Sequence, residues 1–196
     1  MRELVFLLEE PSAKAMLETL LPRMLNAETR FRCIPFEGKQ DLEKQIIRKI
    51  RGYQNEHARF IVLRDQDSHP DCTAIKRKLL DLCAESGKSG RCLVRLACRE
   101  LETFYLADLA AVERALDMDG LATHQQSRKF RNPDNLGSPS RELIALTGNR
   151  YTKVAGSRAM GECLRLDNER SPSFRNLIAA IRRFEAELLR DDLPDQ

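Results

Sequence analysis

The first half of the chain alternates short apolar runs with longer stretches of helical spacing. Leu4, Val5, Phe6, Leu7 and Leu8 form an unbroken apolar run, the pattern of a strand buried on both faces. Pro11-Ser12 marks a turn and a helix start. Met16, Leu17, Leu20, Leu21 and Met24 then place an apolar face on a helix over 13–25. Residues 31–36 read as a weaker second strand. Leu42, Ile46, Ile47 and Ile50 share one face of a charged helix over 41–53. The third apolar run, Phe60-Ile61-Val62-Leu63, ends at Asp65. Ile75, Leu79, Leu80 and Cys83 are in helical register over 73–84, and residues 92–97 make a fourth strand. A βαβαβαβ order requires right-handed crossovers and a mostly parallel sheet.

Past Glu100 the pattern is helical. Residues 101–116 predict a helix broken near Asp108. The polar stretch 117–140 is rich in Asn, Pro, Gly and Ser, and 132–139 is its clearest loop. Ser140 is placed to cap a helix through Leu146. Further helices are expected over 152–164 and 173–189, the last with Leu177, Ile178, Ile181, Phe184 and Leu188 on one face. The tail from Asp191 is expected to fray. The fold class is therefore α/β: a parallel sheet of about four strands with flanking helices over 1–108, then a helical C-terminal extension over 109–196 that packs on it.

Composition narrows the class. At 196 residues the chain is long enough to bury a core without disulfide staples. Apolar residues at 42% and charged residues at 32% exclude a mostly disordered chain. No run approaches the roughly 20 apolar residues of a membrane helix. The opening Met1-Arg2-Glu3 leads straight into a strand without an h-region or cleavage site, so no signal peptide and a cytoplasmic location are expected. The net charge of +3 is too small to mark a dedicated nucleic-acid coat. Basic residues do cluster at Lys76-Arg77-Lys78, Arg128-Lys129-Phe130-Arg131 and Arg182-Arg183, where solvated helix faces are the plain reading. The six cysteines form no CxxC and His is scarce, so reduced thiols are expected and not a zinc site.

The acidic residues matter for where they fall. Glu9 follows the first apolar run, Asp65 and Asp67 the third, Glu100 and Glu102 the fourth. In a parallel sheet these strand ends share one edge, the edge where open α/β sheets bind ligands. On an extended segment Asp65 and Asp67 face the same way, with Gln66 turned aside. Converging carboxylates repel unless a cation lies among them. Oxygen ligands without His or Cys suit Mg²⁺ or Mn²⁺, and such ions serve phosphodiester chemistry. Glu9, Asp65 and Asp67 are the candidate metal ligands and catalytic residues. The competing reading is helix capping: Asp67 or Ser68 as an N-cap, and Glu9-Glu10 at a favourable helix dipole.

A strand ending in Glu, a later strand ending in Asp-x-Asp and the βαβαβαβ order resemble the Toprim fold of topoisomerases, primases and OLD-type nucleases, over roughly 1–108. That resemblance implies that Glu9 does acid/base work or shapes a metal site, and that the Asp pair holds Mg²⁺. Glu9-Glu10-Pro11-Ser12, Asp65-Gln66-Asp67-Ser68, the 99–108 segment Arg-Glu-Leu-Glu-Thr-Phe-Tyr-Leu-Ala-Asp and the closing Ser171-Pro172-Ser173-Phe174 are similar to the bacterial domain-of-unknown-function family four-two-seven-six. The similarity spans nearly the whole chain. It implies a Toprim-like protein encoded beside an AAA/ABC-type ATPase in anti-phage defence loci. This chain has Glu10 where the family usually has Gly, which removes backbone freedom at that turn, and Thr103-Phe104-Tyr105 where the family usually has a Trp.

Supporting roles follow at the same rim. Glu100 and Glu102 either complete the site or simply open a helix. Lys153, ahead of a helix with Gly156 and Ser157, is placed to meet a phosphate or to lie on the surface. Arg64 and Arg99 stand one residue off the ligand positions and are expected on the other face of their strands. His69 is a proton shuttle or an exposed loop residue, and Cys72 a helix-start residue. The expected activity is Mg²⁺- or Mn²⁺-dependent cleavage of DNA or RNA by the effector of a defence system. The alternatives are a non-catalytic partner of an AAA/ABC-type ATPase and a small phosphoester hydrolase.

Overall fold

The computed structural model describes residues 1–191. Four parallel strands, β1 (Glu3–Leu8), β2 (Arg30–Pro35), β3 (Arg59–Asp65) and β4 (Cys92–Ala97), lie in the order β2-β1-β3-β4. Leu8 pairs with Pro35 on one side and Leu63 on the other, and Asp65 pairs with Ala97. The chain leaves β1 towards one edge to make β2, then crosses back to make β3 on the other side. The order therefore reverses between β1 and β3, and the connections from these two strands part there.

Strand alternation sends side chains to two cores. Leu4, Phe6, Leu8, Ile61 and Leu63 face one layer of helices, and Val5, Leu7, Phe60, Val62 and Val94 face the other. The second layer holds α2 (Lys39–Arg51) and α3 (Cys72–Glu85). Leu42, Ile46 and Ile50 are the buried stripe of α2, and Ile75, Leu79 and Cys83 that of α3. The first layer holds α1 (Pro11–Leu20) together with helices from the C-terminal half: α4 (Glu102–Leu106), α5 (Leu109–Leu116), α6 (Pro139–Leu146), α7 (Lys153–Cys163) and α8 (Pro172–Asp191). This core runs without interruption from Leu4 to Leu188.

Several boundaries differ from the periodicity, each for a local reason. The first helix stops at Leu20, and the 3₁₀ turn Leu21–Arg23 follows, because Pro22 has no amide hydrogen to continue the helix. The break at Asp108 is real: its Oδ1 accepts from Ala111 N–H at 3.1 Å and starts α5. Ser140 does not cap α6; it lies inside the helix, and Ser138 occupies the N-cap position. Neither Asp67 nor Ser68 caps α3, since Asp71 Oδ1 accepts from Thr73 N–H at 2.8 Å and Ala74 N–H at 3.0 Å. All six cysteines are free thiols. Among the described residues no helix is long and apolar enough to cross a membrane. The tail beyond Asp191, expected to fray, lies outside the described residues.

Candidate active site

The reversal of strand order sets the place of the site. At such a point two connections diverge and leave a crevice at the carboxyl edge. Glu9 leaves β1 there and Asp65 ends β3 there. Glu9 N–H extends the ladder to Leu63 O at 3.2 Å, and its carboxylate turns back so that Oε2 accepts from Asp65 N–H at 3.1 Å. The two leading sequence candidates are thus joined directly. Glu10 follows with φ −144° and ψ 160°, extended backbone open to any residue. The Gly usual in the similar family is not required for this turn.

Asp65 sits in a ring of like charge. Burial and the neighbouring carboxylates Glu10, Glu9 and Glu102, in that order, raise its pKa well above the usual range, against a hydrogen bond from Leu101 N–H. Glu9 is raised in the same sense, chiefly by burial, with Asp67 and Glu10 adding to it and Asp65 N–H and Arg64 opposing. Glu102 is fully buried at the start of α4. Its Oε1 accepts from Tyr151 Oη–H at 2.9 Å, and its Oε2 has no hydrogen-bond partner. Burial raises its pKa as well, against the Tyr151 hydroxyl and the Lys153 charge.

Cations close the ring. Lys153 opens α7, and its Nζ lies 2.5 Å from Glu10 Oε2. Burial disfavours its charge, but Glu10, Glu102 and Asp65 outweigh that and raise its pKa. The sequence candidate Lys153 therefore belongs to the cluster. Arg64 points to the α2–α3 side of the sheet, as expected of its place in β3, yet its long side chain still reaches the rim. Nη1 is 2.7 Å from Glu43 Oε1 on α2, and Nε is 3.7 Å from Glu9 Oε2. Glu43 is shared with Lys78, whose Nζ lies 2.7 Å from its other oxygen.

Asp67 is placed differently from the expectation. The strand ends at Asp65, and Asp67 takes φ +56°, in the left-handed region, so the two aspartates are not consecutive members of one extended face. The turn is held by Asp67 N–H donating to Arg99 O at 2.7 Å and Arg99 Nη1 donating back to Asp67 O at 3.2 Å. The Asp67 carboxylate meets Lys39 Nζ at 2.8 Å. It stays within electrostatic reach of Glu9. Glu100 stands apart: its Oε2 accepts from Ser140 N–H at 2.6 Å and satisfies the first turn of α6. His69 is exposed, with Nδ1 accepting from Asp71 N–H at 3.1 Å, and Cys72 opens α3.

Glu10, Lys39 and Tyr151 enter the site without having been singled out in the sequence. The Glu9-Glu10 doublet was a signal for Glu10. Nothing local marks Lys39 or Tyr151, which arrive through α2 and the segment before α7.

Among the described residues no three His, Cys, Asp or Glu side chains stand close enough to enclose a metal ion. Mg²⁺ takes only one or two carboxylates and otherwise keeps water and substrate phosphate. The Glu9 carboxylate within electrostatic reach of that of Asp65, an all-oxygen donor set and the unpartnered buried Glu102 Oε2 fit a hard divalent cation. Glu9 and Asp65 are the residues that would hold it. A family model described as Domain of unknown function (DUF4276) matches residues 8–182. No curated protein and no solved structure matches the chain.

Proposed function

The chain belongs to the DUF4276 family, whose description carries no activity, and from the site itself we propose that it cleaves nucleic-acid phosphodiesters with the help of Mg²⁺ or Mn²⁺. The observation that carries this reading is the hydrogen bond from the Asp65 amide to the Glu9 carboxylate at the strand-order reversal, among carboxylates whose charge adds to burial in raising the pKa of both residues. Such a ring is electrostatically costly in the bare protein and is relieved by a cation. A bound divalent ion polarises a phosphoryl oxygen and lowers the pKa of a coordinated water. Arg64 and the Asp65 amide fix the Glu9 carboxylate. Lys153 and Lys39 are held at the rim by carboxylates, where each is able to turn to a substrate phosphate. Glu102, anchored by Tyr151, directs its free oxygen from the buried side.

The similarity of the motifs to a phage-defence family supports the wider setting: action in the cytoplasm, as the effector of a defence system, alongside an AAA/ABC-type ATPase. The direct test incubates the full chain with plasmid DNA, a labelled single-stranded DNA and a labelled RNA in Mg²⁺ or Mn²⁺. The reading predicts metal-dependent cleavage of at least one substrate that falls on the order of a hundredfold in Asp65→Asn. No cleavage of any of them with either metal, or cleavage unchanged in Asp65→Asn, would overturn it.

A further inference from the structure

The charge on this molecule is unevenly spread. Helix α2 carries Lys39, Lys44, Arg48, Lys49 and Arg51 against Asp41 and Glu43. Helix α3 carries Lys76, Arg77 and Lys78 against Asp81 and Glu85. The excess on these two helices is larger than the +3 of the entire chain, so all the rest sums to slightly acidic. Both helices lie on the same side of the sheet, packed side by side and bridged by the Lys78–Glu43 ion pair.

The cations are arranged as well as concentrated. Lys44, Arg48 and Arg51 recur at i, i+4 and i+7, one exposed stripe along α2, about 10 Å long at 1.5 Å per residue. On α3, Arg77 is exposed, and Lys76 is exposed on the flank turned away from α2, lining a groove with Val94 and Asn176. Lys44, Lys76 and Arg77 make no ion pair among the described residues, whereas Lys14 and Arg158 on the α1–α7 side share Glu18 at 3.6 and 3.2 Å. Arg48 donates only to Gln45 Oε1, at 2.8 Å, and keeps its charge unneutralised.

This face also adjoins the site. Both helices start at the carboxyl edge, where Lys39 meets Asp67. A continuous line of charge runs from Lys78 through Glu43 and Arg64 to Glu9. An exposed row of unpaired cations leading away from a metal-chemistry rim suits a polyanion with regularly spaced charge, whose counterions are released on binding. We infer that the outer face of α2 and α3 is the docking surface for the phosphodiester backbone of the nucleic acid, which it guides to the Glu9–Asp65 rim. This rests on nucleic acid being the substrate, and it concerns binding and not cleavage.

The test measures binding of fluorescent single-stranded and duplex oligonucleotides by anisotropy, in EDTA, across a salt series. Two variants are compared with wild type: Lys44→Gln/Arg48→Gln/Arg77→Gln and a control Arg175→Gln/Arg182→Gln/Arg190→Gln on α8. The face variant is expected to bind on the order of tenfold or more weakly, and its slope of log affinity against log salt is expected to fall by about 3 on duplex. The α8 control is expected to bind as wild type. Binding by wild type in EDTA upholds the docking surface even if no cleavage is found, and separates it from the fate of the nuclease reading. Equal loss in the α8 control, an unchanged face variant, or no binding by wild type would overturn it. So would displacement of the oligonucleotide by polyglutamate at equal charge, which would make the face a dock for an acidic protein.

Discussion

Glu102 carries the sharpest residue-level contrast in the site, one oxygen held by Tyr151 and the other without a partner in a fully buried place. Tyr151→Phe strips the first oxygen too. A buried polar group left unpaired costs about 1–3 kcal/mol, and urea denaturation of Tyr151→Phe should show a loss of that size. Adding Glu102→Gln to it should change the cost non-additively, as expected of contacting residues; additive losses would show that the pair is not coupled. The carboxylates give a pH signature. Asp65, Glu9 and Glu102 all have folded pKa values raised above their ordinary ones. The folded chain holds these protons more tightly than the unfolded chain, so their contribution is fully present below the ordinary carboxylate pKa and is lost as pH rises through the folded values. In EDTA, Asp65→Asn should therefore gain Tm over wild type as pH rises from about 4 towards 8, because it has lost the most crowded of these charges. Parallel Tm–pH curves for the two proteins would contradict the charge crowding. The position of Glu9 and Asp65 at the carboxyl edge of the sheet was legible in the sequence because each closes a strand-length apolar run. The orientation of Asp67 was not, since the alternation rule fails once the backbone turns left-handed at φ +56°.

At the scale of elements, the packing of α1 on α7 does most to bring the C-terminal half to the rim. Gly161 permits it: a Cβ there would lie 2.2 Å from both Met16 O and Thr19 Oγ1. Thr19 Oγ1 donates to Arg158 O at 2.8 Å, and Arg23 ties the end of α7 through Gly161 O at 2.7 Å and Leu164 O at 2.9 Å. Gly161→Ala should force the helices apart and lower stability by about 1–3 kcal/mol, the usual range for overpacking. It should also weaken the proposed metal-dependent cleavage, because Lys153 and Tyr151 reach the cluster through α7 and the residues before it. A variant as stable and active as wild type would show that this close approach is not needed. The strands and the main helices were readable because apolar spacing reports burial directly. Helix ends were less so. Pro22 cuts α1 short, and Glu100, from a distant part of the chain, satisfies Ser140 N–H in α6. No sequence window contains that second contact.

For the whole molecule, one apolar core joins the sheet to the helices on both sides of residue 108, from Leu4 through Tyr105 to Leu188. A shared core predicts cooperative unfolding, so calorimetry should show a single transition; two well-separated transitions would mean that the halves are energetically independent. The molecule is also polarised in charge, basic on the outer α2–α3 face and carboxylate-rich at the adjoining rim. The total charge in the sequence hid this, since +3 averages the two regions together. On the proposed function, the rim between β1 and β3 is a divalent-cation site. Titration calorimetry of Mn²⁺ and Mg²⁺ into wild type and a Glu9→Gln/Asp65→Asn variant tests it most directly, with folding of both proteins checked by circular dichroism. Saturable binding by wild type and none by the folded variant at the same metal concentrations is the expected result. No binding by wild type at millimolar metal, or equal binding by the variant, would contradict it.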